Sequence, residues 1–511
     1  MVTKSKGKFR RINSLLLSLF LVICSIPISP QGASAEEDAN LIKRFDFGTT
    51  ESSVMEGYTQ VTPETAYTEE LKYGFADSTK VTATDRSTSD PIKSDFVSAI
   101  GTSFNVDLEP GNYSIAIIAG DDTEQTNIGI KAENIQKIQD IVVAKGEFIE
   151  RTFDIALVED QLKIELTGSA PKINALVITK LPEQNAGEIS SVYIAGDSTV
   201  QTYDEYWKPE AGWGQMISRF FSTDVTFENN AIGGRSTKSF INEGRLDAIL
   251  REIKPNDYLL VQFGHNDATI SNPDRYASVP DYKNYLKTYI NGVRQRGATP
   301  ILVTPVGRRD FNAQTGKFNV SFPEYVKGMK EVAQEMDVDL VDLSTLSVAY
   351  YDSIGPEGTL SVFLHTAPGI YQAFPNGSQD NTHFQEYGAI QLGRLVSGGI
   401  KDLDIPLSAY VQDIEVPSKV PSKPTGVTAS GISNAGAQLN WEKEEGADIY
   451  KIYRKLSTDS EYSLIGTSTL PSFNITGMEE AQTYHVVVSA VNGKGESEYS
   501  EVVTITTKKQ H

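Results

Sequence analysis

Two separate segments of the chain contain the residue types that carry out nucleophilic catalysis. Ser198 lies in Gly196-Asp197-Ser198-Thr199, and Asp380-Asn381-Thr382-His383 supplies an aspartate and a histidine. A histidine can take the proton of a serine hydroxyl, and a carboxylate bonded to its other ring nitrogen fixes the required tautomer. We expect Asp380 and His383, three residues apart on one turn, to face each other in this way. Taken alone, each segment also fits a common structure: a turn, and a helix N-cap with a surface histidine.

Two further segments could bring hydrogen-bond donors to a ligand. Residues 230–236 contain Gly233 and Gly234, and a glycine lets a backbone N–H approach a ligand without side-chain obstruction. Residues 263–267 contain Asn266, whose side-chain amide is a hydrogen-bond donor. The ordinary alternatives are a plain loop and an Asx-turn.

The elements that must position these segments alternate between strand and helix. Apolar strand-like runs occur at residues 192–195, 225–228, 258–263, 301–305 and 340–343, with helical patterns at 216–221, 282–296, 325–336 and 386–395. Strand and helix repeating at intervals of roughly 30 residues predict a parallel α/β sheet with right-handed crossovers. Ligand sites in such sheets form at the carboxyl ends of the strands. We therefore expect Ser198, Gly234 and Asn266 to meet there.

The regions on either side of this α/β part, residues 36–182 and 421–508, have the patterns of β-structure. Short alternating apolar runs separated by Gly, Pro, Asp and Asn predict a β-sandwich in the first region. Residues 181–188 and the prolines Pro417, Pro421 and Pro424 are typical of linkers. We therefore expect an N-terminal sandwich over 36–182, an α/β domain over 190–405 and a C-terminal sandwich over 421–508.

The four polar segments, in this order, resemble the blocks of the SGNH (GDSL-like) hydrolases. Longer stretches resemble bacterial rhamnogalacturonan acetylesterases in particular: Gly196–Thr199, Gly212-Trp213-Gly214, Gly233-Gly234-Arg235-Ser236, Glu243-Gly244-Arg245, Gln262–Asp267 and Asp380–Phe384. The N-terminal region, with Phe45-Asp46-Phe47-Gly48, resembles galactose-binding-like modules. The C-terminal region resembles a fibronectin type III domain, with Trp441 in an early strand and Tyr484 at the tyrosine corner.

This resemblance implies a central α/β/α hydrolase flanked by the two sandwiches, and it implies roles for individual residues. Ser198 would be the nucleophile and His383 the base, oriented by Asp380. The oxyanion hole would be formed by the backbone N–H groups of Ser198 and Gly234 and by the amide of Asn266. The reaction would be removal of O-acetyl groups from plant cell-wall pectin (rhamnogalacturonan), with no metal and no cofactor. Acetylxylan or another acetylated glycan is an alternative substrate.

The charge of the chain bears on its partners. The formal net charge is −21, which disfavours binding to nucleic acid phosphates and to anionic lipids. An anionic pectin could then approach only a locally positive crevice. Arg235, after the oxyanion glycine, and Arg308-Arg309, after the fourth strand, are candidate substrate-binding residues, because arginine suits carboxylates. The alternative is that they pair with nearby acidic side chains.

Two readings compete with the serine esterase. A degenerate middle domain would leave a non-catalytic carbohydrate-binding adhesin, although all five catalytic positions are present. A zinc hydrolase would need about three clustered ligands, and His265, His365 and Asp380 could supply them without following a recognised spacing.

The N-terminus has the features of an export signal. Five basic residues precede an apolar run at residues 15–28, which is too short to span a bilayer, and Ala33-Ser34-Ala35 offers a cleavage site. Residues 1–35 are therefore predicted to be a signal peptide, which gives a secreted, extracellular protein with no membrane insertion after cleavage. The only cysteine, Cys24, lies inside this segment, so neither a disulfide nor a cysteine metal site is expected.

Overall fold

The computed structural model describes residues 42–509, which form an α/β region between two β-sandwiches. This is the fold class expected from the sequence. The predicted signal peptide lies outside the described residues. Among the helices of residues 42–509, none combines the length and hydropathy of a membrane span.

The N-terminal sandwich is built from two five-stranded sheets and a short β-ribbon. Its strands are β1 (Ile42–Phe47), β2 (Thr59–Val61), β3 (Tyr73–Phe75), β4 (Val81–Asp85), β5 (Asp95–Ala99), β6 (Ser103–Asp107), β7 (Gly111–Gly120), β8 (Thr126–Ala132), β9 (Ile135–Val143), β10 (Phe148–Leu157), β11 (Gln161–Ala170) and β12 (Ala175–Lys180). The sheet orders are β10-β7-β12-β1-β2 and β3-β6-β11-β8-β9. Alternate side chains such as Tyr113, Ile115 and Ile117 of β7 are fully buried in one core with Ile130 and Leu162 of the other sheet, as the period of a strand requires.

The central region alternates strands and helices. Its strands are β13 (Ser190–Gly196), β14 (Val225–Asn229), β15 (Tyr258–Gln262), β16 (Thr299–Val303), β17 (Phe311–Asn312), β18 (Lys317–Phe318), β19 (Asp339–Val341), β20 (Phe363–Thr366) and β21 (Ser378–Phe384). Its α-helices are α1 (Trp213–Met216), α2 (Thr237–Asn242), α3 (Arg245–Glu252), α4 (Val279–Arg294), α5 (Pro323–Met336), α6 (Leu343–Gly358) and α7 (Glu386–Lys401).

The main sheet has the order β14-β13-β15-β16-β19 and is parallel throughout. Every residue of β15 is buried, with Leu259 and Val261 in the hydrophobic core on one face and Tyr258 and Leu260 in the core on the other. A parallel strand covered on both faces by helices has this continuous apolar pattern. The segments after β13, β14, β15 and β16 consequently open at the same edge of the sheet.

Some element ends differ from the sequence expectations. The fourth strand ends at Val303 rather than at Pro305, since proline has no N–H for the sheet. Leu343 begins α6 instead of ending a strand, because the side chain of Asp342 caps the helix by accepting from the N–H of Thr345. Asp380 and His383 lie in the strand β21, whereas the sequence suggested a single turn.

The C-terminal sandwich packs directly against the α/β region. Its strands are β22 (Thr428–Ser430), β23 (Ala437–Asn440), β24 (Ile449–Leu456), β25 (Ser463–Ser468), β26 (Ser472–Ile475), β27 (Thr483–Asn492), β28 (Gly495–Glu496) and β29 (Val503–Thr506). The hydroxyl of Tyr484 accepts from the backbone N–H of Glu479 at 2.9 Å, the hydrogen bond of a tyrosine corner. At the boundary, Arg394 of α7 forms an ion pair of 2.5 Å with Asp448, and both side chains are buried.

Candidate active site

The turn after β13 presents Ser198 at the carboxyl edge of the main sheet. Asp197, which precedes it, is completely buried. Its Oδ1 accepts from the backbone N–H of Thr199 at 2.9 Å and from the Thr199 hydroxyl at 2.7 Å. These bonds close an Asx-type turn around Ser198, so the conformation of this turn is set by its buried neighbours.

A buried hydrogen-bond chain links this turn to the end of β15 and to the Gly212-Trp213-Gly214 segment. Gln262, the last residue of β15, donates from Nε2 to the hydroxyl of Thr199 at 2.8 Å, and its Oε1 accepts from Trp213 Nε1 at 2.8 Å. Gly212 must be a glycine here, because a Cβ built on it would lie 2.4 Å from the backbone carbon of Val200. The Gly212-Trp213-Gly214 segment therefore helps to hold the turn that carries Ser198 in place.

Ser198, His383 and Asp380 form a continuous hydrogen-bonded chain. The Ser198 hydroxyl lies 2.9 Å from Nε2 of His383, and Nδ1 of His383 lies 2.7 Å from Oδ2 of Asp380. With Nδ1–H donating to the carboxylate, Nε2 is free to accept from the hydroxyl. The other oxygen, Asp380 Oδ1, accepts from the backbone N–H groups of Thr382 at 2.6 Å and His383 at 3.0 Å.

A bulge in β21 makes this arrangement possible. Phe384 pairs with Phe363 and Gln379 pairs with His365, so residues 380–383 lie opposite Leu364 alone. A bulge of this kind bends a strand and redirects its side chains. It lets Asp380 fold back onto His383 within three residues, although the segment is part of a strand.

The charges of the site shift the pKa values of His383 and Asp380 in opposite directions. Burial by itself lowers the pKa of His383, but the hydrogen bond and the charge of Asp380, helped by Glu210, outweigh it and raise the pKa above 6.5. Burial raises the pKa of Asp380, but its bonds to His383 dominate and hold that pKa below the ordinary 3.8. Asp380 is therefore ionised and His383 is a stronger base than free histidine.

The loops after β14 and β15 lie beside Ser198 and are bonded to each other. A Cβ built on Gly233 would be 3.5 Å from Cβ of Ser198, and the next residue, Gly234, has a φ of 77°. Asn266 donates from Nδ2 to the backbone carbonyl of Arg235 at 3.0 Å. A left-handed φ favours glycine, so most other residues at position 234 would strain the backbone.

A buried carboxyl group that the sequence interpretation did not single out joins the same two loops. Asp267 accepts through Oδ1 from the backbone N–H of Thr237 at 3.0 Å and from the Thr237 hydroxyl at 2.5 Å. Burial raises the pKa of Asp267 to about 7. In the sequence, Asp267 is visible as the residue directly after Asn266. Residue spacing, however, does not predict that it binds Thr237, 30 residues earlier.

The three candidate arginines have different surroundings. Arg235 pairs with Glu243 at 3.0 Å and donates to the carbonyl of Gly233 at 2.8 Å. Arg309 donates to the Thr359 hydroxyl and to the carbonyl of Pro356, both at 3.0 Å.

Arg308 is the one of the three whose guanidinium makes neither an ion pair nor a hydrogen bond within the described residues. It lies over the ring of Phe322, with 4.7 Å from Cζ to the ring centroid. Burial lowers its pKa, partly offset by the charges of Asp197 and Asp380.

The residues named for the zinc alternative have separate environments. His265 is buried, and burial lowers its pKa to about 4. His365 Nε2 is hydrogen-bonded to Asn381 Oδ1 at 2.9 Å, and Asp380 is committed to His383. Within residues 42–509, no group of three or more His, Cys, Asp or Glu side chains could hold a metal ion.

Three parts of the chain match known families. Residues 192–396 match the family described as GDSL-like Lipase/Acylhydrolase. Residues 43–178 match the Beta-agarase/YXIM esterase-like, galactose-binding domain-like family, and residues 422–506 match the Fibronectin type III domain.

Three curated relatives come from Bacillus subtilis (strain 168). The chain is 44% identical over 221 residues to YesY, named a probable rhamnogalacturonan acetylesterase, with 43% of this chain and 96% of the relative covered. It is 40% identical to the rhamnogalacturonan acetylesterase RhgT, covering 43% of this chain and 93% of the relative. It is 33% identical to the uncharacterized esterase YxiM, covering 70% of this chain and 91% of the relative.

Proposed function

Because the chain belongs to the GDSL-like lipase/acylhydrolase family and is a carboxylic ester hydrolase, we propose that it deacetylates rhamnogalacturonan by Ser-His-Asp acyl transfer. The three family resemblances read from the sequence are confirmed by the matches to residues 43–178, 192–396 and 422–506. The observation that carries the mechanism is the Ser198–His383–Asp380 chain, with distances of 2.9 and 2.7 Å.

In the first step, Oγ of Ser198 attacks the acetyl carbonyl carbon while its proton passes to Nε2 of His383. The imidazolium that forms is stabilised by the ionised Asp380 at Nδ1. The backbone N–H groups of Ser198 and Gly234 and the side-chain amide of Asn266 donate hydrogen bonds to the carbonyl oxygen and stabilise the negative charge that develops on it. Donors fixed in place before the reaction are effective because no reorganisation is needed as the charge appears.

In the second step, the tetrahedral intermediate collapses and the sugar hydroxyl leaves with the proton held by His383. A water molecule, deprotonated by His383, then attacks the acetyl-serine; the bond between Oγ and the acyl carbon breaks, His383 returns the proton to Oγ of Ser198, and acetate is released. The raised pKa of His383 suits both roles, since a base must accept a proton near the working pH and return it to the leaving group.

The substrate proposal rests on the relatives named rhamnogalacturonan acetylesterase and on the surroundings of the triad. Tyr206 and Trp207 are exposed by 49% and 43%. Their segment runs beside that of His383, since the carbonyl of Pro209 accepts from the N–H of Glu386 at 2.8 Å. Exposed aromatic faces offer an apolar surface to the C–H face of a sugar ring. The free guanidinium of Arg308 is proposed as a binding group for the polymer.

We include export in the proposal, because a cell-wall polymer lies outside the cell. The basic start, the apolar run at residues 15–28 and Ala33-Ser34-Ala35 support cleavage before Glu36. N-terminal sequencing of the protein from culture medium tests this: a mature start at Glu36 is expected, and an intact Met1 contradicts it.

The mechanism is tested by Ser198→Ala against Ser353→Ala, a control at an exposed helix serine whose hydroxyl donates to the carbonyl of Tyr350 in the preceding turn. Acetate release from acetylated rhamnogalacturonan and hydrolysis of p-nitrophenyl acetate are measured for both variants. We expect Ser198→Ala to abolish both activities with an unchanged melting temperature and Ser353→Ala to retain both. Near wild-type turnover in Ser198→Ala rules out this mechanism.

A further inference from the structure

Arg275, which the sequence interpretation did not identify, lies against the proposed oxyanion glycine. It belongs to the loop that follows β15 and contains Asn266. A Cβ built on Gly234 would be 2.9 Å from Nη2 and 3.1 Å from Cζ of Arg275. Gly233, one residue earlier, is the glycine adjacent to Ser198. The guanidinium is therefore at the edge of the reacting centre.

The backbone around Arg275 is well held, whereas its guanidinium has no protein partner. The N–H of Arg275 donates to the carbonyl of Asn272 at 3.1 Å, and the N–H of Ala277 donates to the carbonyl of Asp267 at 3.1 Å. Within residues 42–509, the half-buried side chain of Arg275 makes neither a hydrogen bond nor an ion pair. Five N–H donors in a planar fork are thus held close to the site and left for solvent or a ligand.

Three neighbouring cations at this edge of the sheet are engaged by the protein, whereas the guanidinium of Arg308 lies over the ring of Phe322 without a hydrogen bond or ion pair within residues 42–509. Arg235 is paired with Glu243, and Lys238 donates to the carbonyl of Pro273 at 2.9 Å. Arg309 is bonded to Thr359 and Pro356. Arg275 differs from these three because no carboxylate or carbonyl of the described chain neutralises or accepts from it.

We propose that Arg275 is a specificity-determining residue that binds a carboxylate of a uronate in the acetylated polymer, next to the ester being cleaved. The inference rests on the proposed function of the same site. A guanidinium binds a carboxylate through two parallel hydrogen bonds. The chain as a whole carries a net charge of −21, so an anionic polymer requires a local positive group to approach Ser198. A neutral acetylated glycan such as acetylxylan has no corresponding partner for it.

The test is Arg275→Gln, which removes the charge and keeps a polar side chain. We expect KM on acetylated rhamnogalacturonan to rise by about 10- to 100-fold, the usual worth of hydrogen bonds to a charged group, and its salt dependence to weaken. Turnover of p-nitrophenyl acetate and of an acetylxylan free of glucuronate should change by less than about twofold, since neither carries a carboxylate. Arg275→Lys, which keeps the charge but not the fork, should give an intermediate KM.

Arg151→Gln is the matched control, because Arg151 is exposed on the N-terminal sandwich and its guanidinium donates to the backbone carbonyl of the adjacent Glu150. It changes the net charge equally and should leave all three substrates unaffected. An equal loss on all substrates in Arg275→Gln would assign Arg275 to the oxyanion or to loop structure, and an unchanged KM on the anionic polymer would remove it from recognition. Either result overturns the proposal.

A second readout does not depend on which acetylated polymer is the substrate. Oligogalacturonate should inhibit p-nitrophenyl acetate hydrolysis by the wild-type enzyme, and Arg275→Gln should raise the inhibition constant by the same factor as KM. A wild-type enzyme that hydrolyses the small ester but is not inhibited by oligogalacturonate contradicts uronate binding while leaving the serine mechanism intact. A wild-type enzyme that hydrolyses no ester contradicts the proposed function itself.

Discussion

The side-chain amide nitrogen of Asn266 donates one hydrogen to the backbone carbonyl of Arg235 at 3.0 Å. This bond fixes the orientation of the amide plane, and an amide nitrogen carries a second hydrogen. The second hydrogen is the one that Asn266 would donate to the oxyanion in the proposed mechanism.

Asn266→Ala should consequently lower kcat by about 10²- to 10³-fold, the usual cost of losing one oxyanion donor. The measurement is steady-state kinetics on p-nitrophenyl acetate, with KM expected to change little because the donor acts on the developing charge. Asn291→Ala, in α4 away from the site, is a control for the substitution itself. A loss of less than about threefold would remove Asn266 from this role.

Activity should fall on acidification with a midpoint above 6.5, because the pKa of His383 is raised. A base whose pKa is raised becomes protonated, and therefore inactive, at a higher pH than free histidine. The pH dependence of kcat/KM on a neutral ester reports this value. A flat profile between about pH 4 and 9, a range that contains the ordinary histidine pKa, would contradict a histidine base.

In Glu210→Gln, the loss of activity on acidification should occur at a lower pH, since the charge of Glu210 contributes to raising the pKa of His383. The direction follows from the sign: removing a nearby negative charge makes the imidazolium less stable. Glu205→Gln is the control, because Glu205 pairs with Lys208 on the exposed surface of the same segment. If the pH dependence is unchanged in Glu210→Gln, the charge of Glu210 does not contribute to the basicity of His383.

Asp267→Ala should lower both stability and kcat, whereas Asp267→Asn should largely retain them. The alanine removes the acceptor for the buried N–H and hydroxyl of Thr237, and with it the bonds that join the loops after β14 and β15. Each unsatisfied donor costs about 1–3 kcal/mol. Asparagine keeps an oxygen at the Oδ1 position. Thermal unfolding and kcat are measured together; equal damage by both substitutions would mean that the negative charge, rather than the acceptor, is required.

Asp448→Ala should destabilise the protein by about 3–5 kcal/mol, because it leaves the buried guanidinium of Arg394 without its partner. Denaturant unfolding measures this loss. Asp459→Ala in the same sandwich, at an exposed turn, is the control and should have little effect. If Asp448→Ala unfolds like the control, the C-terminal sandwich does not depend on this ion pair for its attachment to the α/β region.

The fold class, and the residues assigned to the proposed mechanism, could be predicted from sequence pattern and family resemblance. Apolar runs of strand length and helical periodicity are local properties, so β13, β14, β15 and the helices α4 and α5 could be predicted to within a few residues. In a parallel sheet, the ends of adjacent strands share one edge. The sequence pattern therefore predicts that Ser198, Gly234 and Asn266 lie close together.

The contacts that each side chain makes, by contrast, depend on the tertiary structure. The bulge of residues 380–383, the ion pair of Arg235 with Glu243 and the contact of Arg275 with Gly234 depend on distances between segments far apart in the chain. Local pattern does not specify such distances. A charged side chain also has many surface partners of nearly equal energy, so three-dimensional packing determines which arginine is paired and which remains free beside the site.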